Sequence, residues 1–151
     1  MTTSAAQRTQ RPAVALAART VGAVFLLVGI LGFVPGITTN VGDLSFASHH
    51  SEAMLLGLFQ VSILHNAVHL LFGVVGLMAG RSGKMAVRYL VWGGVIYLVL
   101  GVYGVLVPHG SPANFVPVNG ADNILHFGLG IGMIALGLIL GRRSPAHTAT
   151  A

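Results

Sequence analysis

The sequence of 151 residues contains no cysteine, and its charged residues are only eight Lys and Arg and three Asp and Glu. The lack of cysteine excludes disulfides, thiolate metal sites, iron–sulfur clusters and covalently attached c-type haem. Imidazole and carboxylate are therefore the only strong metal ligands, supplied by seven histidines and three acidic residues. Soluble domains usually have about a quarter of their residues charged. The charged fraction of 7% argues against a water-soluble domain.

Long hydrophobic runs fill most of the chain, and its mean hydropathy is +0.83. A helix needs roughly 20 apolar residues to cross the hydrocarbon core of a bilayer, which is about 30 Å thick. Four stretches satisfy this requirement, at about 14–35, 54–80, 87–108 and 121–141. The sequence therefore predicts an all-α polytopic membrane protein with a four-helix transmembrane domain over residues 13–143. The polar ends, 1–12 and 144–151, are predicted to be disordered tails.

The charged residues are sorted by sign between the two sides of this four-span arrangement. The basic residues all fall on one side: Arg8, Arg11, Arg19, Arg81, Lys84, Arg88, Arg142 and Arg143. The acidic residues all fall on the other: Asp43, Glu52 and Asp122. Positive charge beside the ends of spans marks the cytoplasmic side, so both termini are predicted in the cytoplasm. The first span could instead be a cleaved signal peptide, but no A-x-A-like site follows it.

The second and fourth spans share a polar pattern. Span two has HNAVH at 65–69 followed by Gly73, and span four has DNILH at 122–126 followed by Gly130. Both fit [HD]-N-x-x-H-x-x-x-G, at an offset of 57 residues. The pattern predicts two tandem helical hairpins, related by a pseudo-twofold axis along the membrane normal.

Glycine is abundant, with 21 residues, and it predicts how these helices pack. Membrane helices associate through close van der Waals contact, which small residues permit. Spans one and three both carry a G-x-x-G pair followed by proline, which agrees with the proposed repeat. The glycines expected at helix contacts are Gly29, Gly32, Gly73, Gly76, Gly101, Gly104, Gly128 and Gly132.

Six polar residues of the repeated pattern form the candidate site: His65, Asn66, His69, Asp122, Asn123 and His126. Residues four apart share a helix face, so His65 lies above His69, and Asp122 lies above His126. Counting from the predicted inner ends of the spans places His65 and His126 at the same depth. The six residues then form a polar ladder in the outer half of the membrane.

Several interpretations of this polar ladder remain open. Its side chains could hydrogen-bond between helices and fix their pairing. Three imidazoles and a carboxylate could bind zinc, iron, copper or nickel, with His65, His69, Asp122 and His126 as the candidate ligands. Haem b could bind between His65 and His126. A proton or solute path, or a lipid or quinone site, would also use ionisable groups inside a membrane.

Catalytic motifs are absent from the sequence. It has no nucleophile elbow, phosphate-binding loop, dinucleotide fingerprint or H-E-x-x-H motif, so no catalytic residue is predicted. His49, His50 and His109 fall in the predicted outer loops and are expected to be solvated. The basic residues form no stripe interleaved with aromatics, so nucleic-acid binding is not expected despite a pI near 10.9.

The segment LGLFQVSILHNAVHLLFGVVGL at 56–77, with ADNILHF at 121–127, resembles a bacterial membrane-protein family known as domain of unknown function 4383. The resemblance runs from about Thr20 to Gly141, and the H-N-x-x-H segment is its most specific part. The family pattern has Asn where this chain has Ser62. The resemblance implies a four-span protein of the bacterial inner membrane and implies no activity.

Together these features predict a non-catalytic structural or accessory protein. Its expected partners are the lipid bilayer and either other membrane-protein subunits or a second copy of itself. The alternative is a metal, haem, proton or lipophilic-ligand site in the outer half of the bundle. The sequence requires no cofactor.

Overall fold

The computed structural model describes residues 12–48 and 50–142. Its α-helices are α1 (Pro12–Leu31), α2 (Ile63–Ala79), α3 (Gly83–Leu106) and α4 (Gly120–Arg142). The predicted all-α fold with four helices is thereby confirmed. Helices α1, α3 and α4 are long and apolar enough to cross a membrane, whereas α2 is apolar but shorter. The predicted tails lie outside the described residues, except for Pro12, which begins α1.

The helices pack as two pairs in chain order. Helix α1 lies along α2 and α3 lies along α4, and contacts between the pairs are less extensive. In α1 the buried residues recur every three or four positions and so form one face: Val14, Ala18, Gly22, Phe25 and Gly29. Such a face is what a helix needs in order to bury one side against a neighbour.

Glycines let the two helices of each pair touch backbone to backbone. A Cβ atom built on Gly22 of α1 would lie 2.8 Å from the carbonyl oxygen of Gly73 in α2. A Cβ atom on Gly94 of α3 would lie 2.7 Å from the carbonyl oxygen of Gly130 in α4. No real side chain tolerates such distances, so both contacts require glycine. The two helix pairs therefore make the same contact at corresponding positions.

Most of the glycines predicted at helix contacts are found there. Those that pack against a side chain or backbone of another helix are Gly29, Gly32, Gly73, Gly76, Gly101 and Gly104. Gly128 and Gly132 are different, because a Cβ atom on either would meet nothing within 4 Å. They lie on the face of α4 that points away from the other three helices, so they pack against nothing within the bundle. Helix α4 uses Gly130, Gly137 and Gly141 instead.

A small antiparallel sheet occupies the connection between α1 and α2. Its strands are β1 (Thr38–Thr39), β2 (Met54–Leu55) and β3 (Phe59–Gln60), in the order β1-β2-β3. Thr38 pairs with Leu55, and Leu55 pairs with Phe59. A single-turn 3₁₀ helix, Val41–Asp43, lies between β1 and β2. Ala53, Leu55 and Val61 form a small apolar core beneath the sheet.

Helix α2 begins nine residues later than the predicted second span. Residues 54–60 form the β2–β3 hairpin, which turns where Leu56 and Gly57 have φ of 55° and 68°. This left-handed backbone cannot continue a right-handed helix. Ser62 then caps α2, because its Oγ accepts a hydrogen bond from the His65 amide at 3.1 Å. The other three helices begin and end within four residues of the predicted spans.

Opposite charges occupy opposite ends of the bundle among the described residues. The basic residues lie at the end where α1 and α3 begin and α2 and α4 finish: Arg19, Arg81, Lys84, Arg88 and Arg142. Arg19 lies inside α1, and its Nε donates to the Gly80 carbonyl oxygen at 2.9 Å. Arginine stabilises a helix C-terminus in this way. The contact places Arg19 at the level where α2 ends.

Candidate functional site

Three histidines of the predicted ladder meet in the interior of the bundle. The ring centroids of His65 and His69 are 4.4 Å apart, and those of His65 and His126 are 6.5 Å apart. Their exposed fractions are 7%, 6% and 3%. The α2 and α4 backbones scarcely contact each other, so the imidazole rings themselves make the approach between these two helices.

Two aromatic residues that the sequence reasoning missed complete this cluster. The Tyr97 ring of α3 lies 5.4 Å from that of His126. Phe25 of α1 stacks on Tyr97 at 5.2 Å, with 9° between the planes, and lies 5.5 Å from His69. All four helices thus contribute to one buried group, the His–Tyr cluster of Phe25, His65, His69, Tyr97 and His126. Phe25 and Tyr97 are separated by the same 72 positions as Gly22 and Gly94, which is the signal that could have found them.

Hydrogen bonds fix the tautomer of His69. Its Nδ1 lies 3.0 Å from the backbone carbonyl oxygen of His65, and a carbonyl oxygen can only accept. Nδ1 therefore carries the hydrogen, and Nε2 of the neutral ring is an acceptor. The Tyr97 hydroxyl donates to this Nε2 across 3.5 Å, at the long end of the hydrogen-bond range. Both ring nitrogens of His69 are thus used within the bundle.

The His126 ring differs from that of His69. Its Nδ1 is buried and has no hydrogen-bond partner among the described residues. An unpaired polar atom in the interior is costly, on the order of 1–3 kcal/mol. His126 is therefore the member of the cluster with an unused capacity to bind.

Asn66 and Asn123 each lie against a glycine of the paired helix. The Asn66 side chain contacts Gly32, and the Asn123 side chain contacts Gly104 so closely that a Cβ atom on either glycine would overlap the amide. The Oδ1 atoms of both asparagines are buried without a conventional hydrogen-bond partner among the described residues. Cα–H groups of glycine are weak donors that suit such carbonyl oxygens. The two asparagines thus occupy matching positions outside the His–Tyr cluster.

Asp122 belongs to a different contact from the histidines. Its Oδ2 accepts hydrogen bonds from the backbone amides of Asn119 at 2.9 Å and Gln60 at 3.1 Å. The Asp122 amide in turn donates to Asn119 Oδ1 at 3.0 Å. Asn119 is therefore the cap of the first turn of α4. This group, the Asp122 latch, ties α4 to strand β3. The predicted ladder therefore divides into a histidine group, two asparagine–glycine contacts and the latch.

The geometry does not assemble the four-ligand metal site that the sequence suggested. Within residues 12–48 and 50–142, no three His, Asp or Glu side chains are arranged to hold a metal ion. The Asp122 oxygen that would be needed is engaged with backbone amides. His50 and His109 are exposed in the connections at the end of the bundle opposite the basic residues. His49 and His147 lie outside the described residues.

The chain belongs to the family described as domain of unknown function (DUF4383), whose model matches residues 15–139. The resemblance seen in the H-N-x-x-H segment is thereby confirmed, over all four helices. No curated protein and no solved structure gives a significant match.

Proposed function

We propose that this chain is a four-span protein of the bacterial inner membrane, with both termini in the cytoplasm, that acts as a non-catalytic accessory protein. In this role the His–Tyr cluster holds the two helix pairs together. The outer helix faces bind lipid and either other membrane-protein subunits or a second copy. The observation that carries the proposal is that rings from all four helices pack together in the interior, while the Asp122 carboxylate ties α4 to strand β3.

The arrangement of the His–Tyr cluster supports this structural role. Contacts between the helix pairs are sparse compared with those within each pair, and the cluster lies where the pairs meet. It joins α1 and α2, through Phe25 and His69, to α3 and α4, through Tyr97 and His126. Aromatic pairs contribute about 0.5–1.5 kcal/mol beyond their buried area. The cluster would therefore stabilise the junction substantially.

An internal duplication is part of the proposal. Equivalent contacts join Gly22 to Gly73 and Gly94 to Gly130, and the Asn66–Gly32 contact matches the Asn123–Gly104 contact. The caps Ser62 and Asn119 also occupy corresponding positions, 57 residues apart. These matches support two hairpins that arose from one ancestor and are related by a pseudo-twofold axis between Phe25 and Tyr97.

A second candidate function is a ligand site, favoured by the unpaired Nδ1 of His126. His65 lies next to it, with the two ring centroids 6.5 Å apart. Two neutral imidazoles could bind zinc, copper, iron or nickel, or a small ligand that donates a hydrogen bond. In that case His69 and Tyr97 would position the two binding rings.

The two functions can be separated with the double variant His65→Gln/His126→Gln, purified in mild detergent without chelator. For an accessory protein, we expect a lower unfolding temperature, unchanged association of the folded protein measured by native mass, and no stoichiometric metal in either form. His109→Gln, on the exposed connection, is the matched control and should leave all three unchanged.

Two results would contradict the accessory role. The first is a folded double variant that has lost every association of the wild type. The second is near-stoichiometric iron, zinc or copper in the wild type that disappears in the double variant and remains in His109→Gln, which would establish the ligand site.

A further inference from the structure

Helix α2 is short for a membrane span. Its 17 residues give a length of about 25 Å, compared with a hydrocarbon core of about 30 Å. At its outer end the chain continues into Ser62, Val61 and strand β3 rather than into water. Val61 and Ser62 are fully buried. Extended backbone at membrane depth is tolerated only where the protein satisfies it, and the Asp122 latch does so for the Gln60 amide.

The tip of the β2–β3 hairpin presents leucines outwards. Leu56 and Leu58 are 67% and 52% exposed, on either side of Gly57. Leu56 also has a left-handed backbone, with φ of 55°, which is unusual for a large apolar residue. Two large apolar side chains exposed on either side of a turn are unfavourable in water. An apolar medium around the tip would remove this cost.

The hairpin tip continues the apolar outer face of α4. The Leu58 carbonyl oxygen accepts a hydrogen bond from Asn119 Nδ2 at 2.8 Å, immediately before α4 begins. Ile124, one turn into that helix, is 77% exposed. The hairpin tip therefore lies beside the start of α4, whose first turns expose an apolar side chain at the same end of the bundle. Continuity with the lipid-facing surface favours lipid as the occupant.

Exposed phenylalanines lie near the ends of two other helices at the same level. Phe46 is 69% exposed, and its carbonyl oxygen accepts from the Leu64 amide in the first turn of α2. Phe115 is 55% exposed and its ring lies 5.9 Å from that of Tyr103, near the end of α3. The Phe115 carbonyl oxygen also accepts from the Ser48 amide at 2.7 Å, so both phenylalanines belong to connections that contact each other at this end of the bundle. Aromatic residues concentrate at a membrane boundary, which favours lipid around this end.

We propose that the β2–β3 hairpin is a membrane anchor, which inserts Leu56 and Leu58 into the boundary between headgroups and acyl chains of the outer leaflet. The hairpin thereby completes the crossing that α2 leaves short. The proposal rests on the membrane placement of the bundle and is independent of the His–Tyr cluster.

Tryptophan fluorescence in vesicles tests the anchor. The chain has one tryptophan, Trp92, which is 66% exposed on α3. Leu58→Trp and, separately, Leu56→Trp are made in a Trp92→Phe background. Each is reconstituted into phosphatidylcholine–phosphatidylglycerol vesicles brominated at shallow or deep acyl positions. Asp43→Trp, exposed in the same connection, is the matched control.

We expect both hairpin tryptophans to be quenched several-fold more by shallow than by deep bromines and to resist aqueous iodide. Deep bromines should quench the fluorescence of Trp92 in the unaltered chain. Only iodide should quench the tryptophan of Asp43→Trp. Iodide quenching of the hairpin variants equal to that of Asp43→Trp would overturn the anchor. So would a blue-shifted hairpin tryptophan that neither quencher reaches, since a second copy or a partner protein would then cover it. Failure of deep bromines to quench Trp92 would instead overturn the membrane placement on which the anchor rests.

Discussion

At the scale of single residues, the glycines divide into those that the bundle needs and those that it does not. Gly22 lies against the backbone of α2, whereas Gly128 has open space around it. We expect Gly22→Ala to force α1 and α2 apart and to lower the free energy of unfolding by about 1–3 kcal/mol, as overpacking does. Gly128→Ala should be neutral or stabilising by up to about 1 kcal/mol, because alanine favours the helix.

Unfolding of each variant in mixed micelles of mild detergent and dodecyl sulfate, followed by circular dichroism, gives the comparison. Equal destabilisation by Gly22→Ala and Gly128→Ala would show that α4 uses its outer glycines in a contact with another chain. An unchanged Gly22→Ala variant would contradict the backbone contact.

Residue patterns grouped the three histidines but not their surroundings. Helical spacing places His65 and His69 on one face, and the repeat assigns His126 to the matching helix, but whether the two helices face each other depends on tertiary packing. Tyr97 has no helical periodicity to mark it, and only its 72-residue offset from Phe25, shared by Gly22 and Gly94, distinguishes it from the other aromatic residues of the spans. The repeated pattern assigned the Asp122 carboxylate to the ladder, whereas one of its two partner amides, that of Gln60, belongs to a segment that was predicted to be helical.

At the scale of elements, the Asp122 latch is the contact that attaches the sheet to the bundle. In Asp122→Ala, the Gln60 and Asn119 amides lose their acceptor, and we expect unfolding to become easier by about 2 kcal/mol or more. Asp122→Asn keeps an oxygen acceptor and should lose less. Amide hydrogen exchange should speed up in β3 for the alanine variant and remain slow in the middle of α3.

An alanine variant with unchanged exchange in β3 would contradict the latch. Ser51→Ala is a useful control, because it removes a different side-chain contact of the same connection, the hydrogen bond from Ser51 Oγ to the Val61 carbonyl oxygen. Amide hydrogen exchange should become faster in the strands of this variant and should be unchanged in the first turn of α4.

The boundaries of elements followed from hydropathy wherever an apolar run and a helix coincide. For this reason the predicted spans one, three and four begin and end within four residues of helices α1, α3 and α4. The apolar run at 54–62 is different, because it folds as strand and turn, and hydropathy does not distinguish a short apolar strand from a helix. The Leu-Gly-Leu sequence at 56–58 and the capping serine at 62 were the local signals for this boundary.

At the scale of the whole molecule, the segregation of charge predicts the orientation of the chain. The absence of cysteine allows this to be tested with single introduced thiols. Lys84→Cys lies at the basic end and Gly110→Cys in the exposed connection at the other. We expect a membrane-impermeant maleimide to label Gly110→Cys in intact cells, after the outer membrane has been permeabilised where one is present. Lys84→Cys should be labelled only after lysis, and the reverse pattern would place both termini outside.

The Asp122 latch also means that the sheet can be completed only after α4 has been synthesised. The sheet between α1 and α2 is made early, but the carboxylate that satisfies the Gln60 amide comes 62 residues later. Until α4 has been made, the Gln60 amide therefore lacks this acceptor, although β3 already pairs with β2. Only the arrival of the last helix supplies it. A ribosome that stops before residue 122 would leave behind a helix pair with an unfinished outer surface, which the quality-control proteases of the cell could recognise.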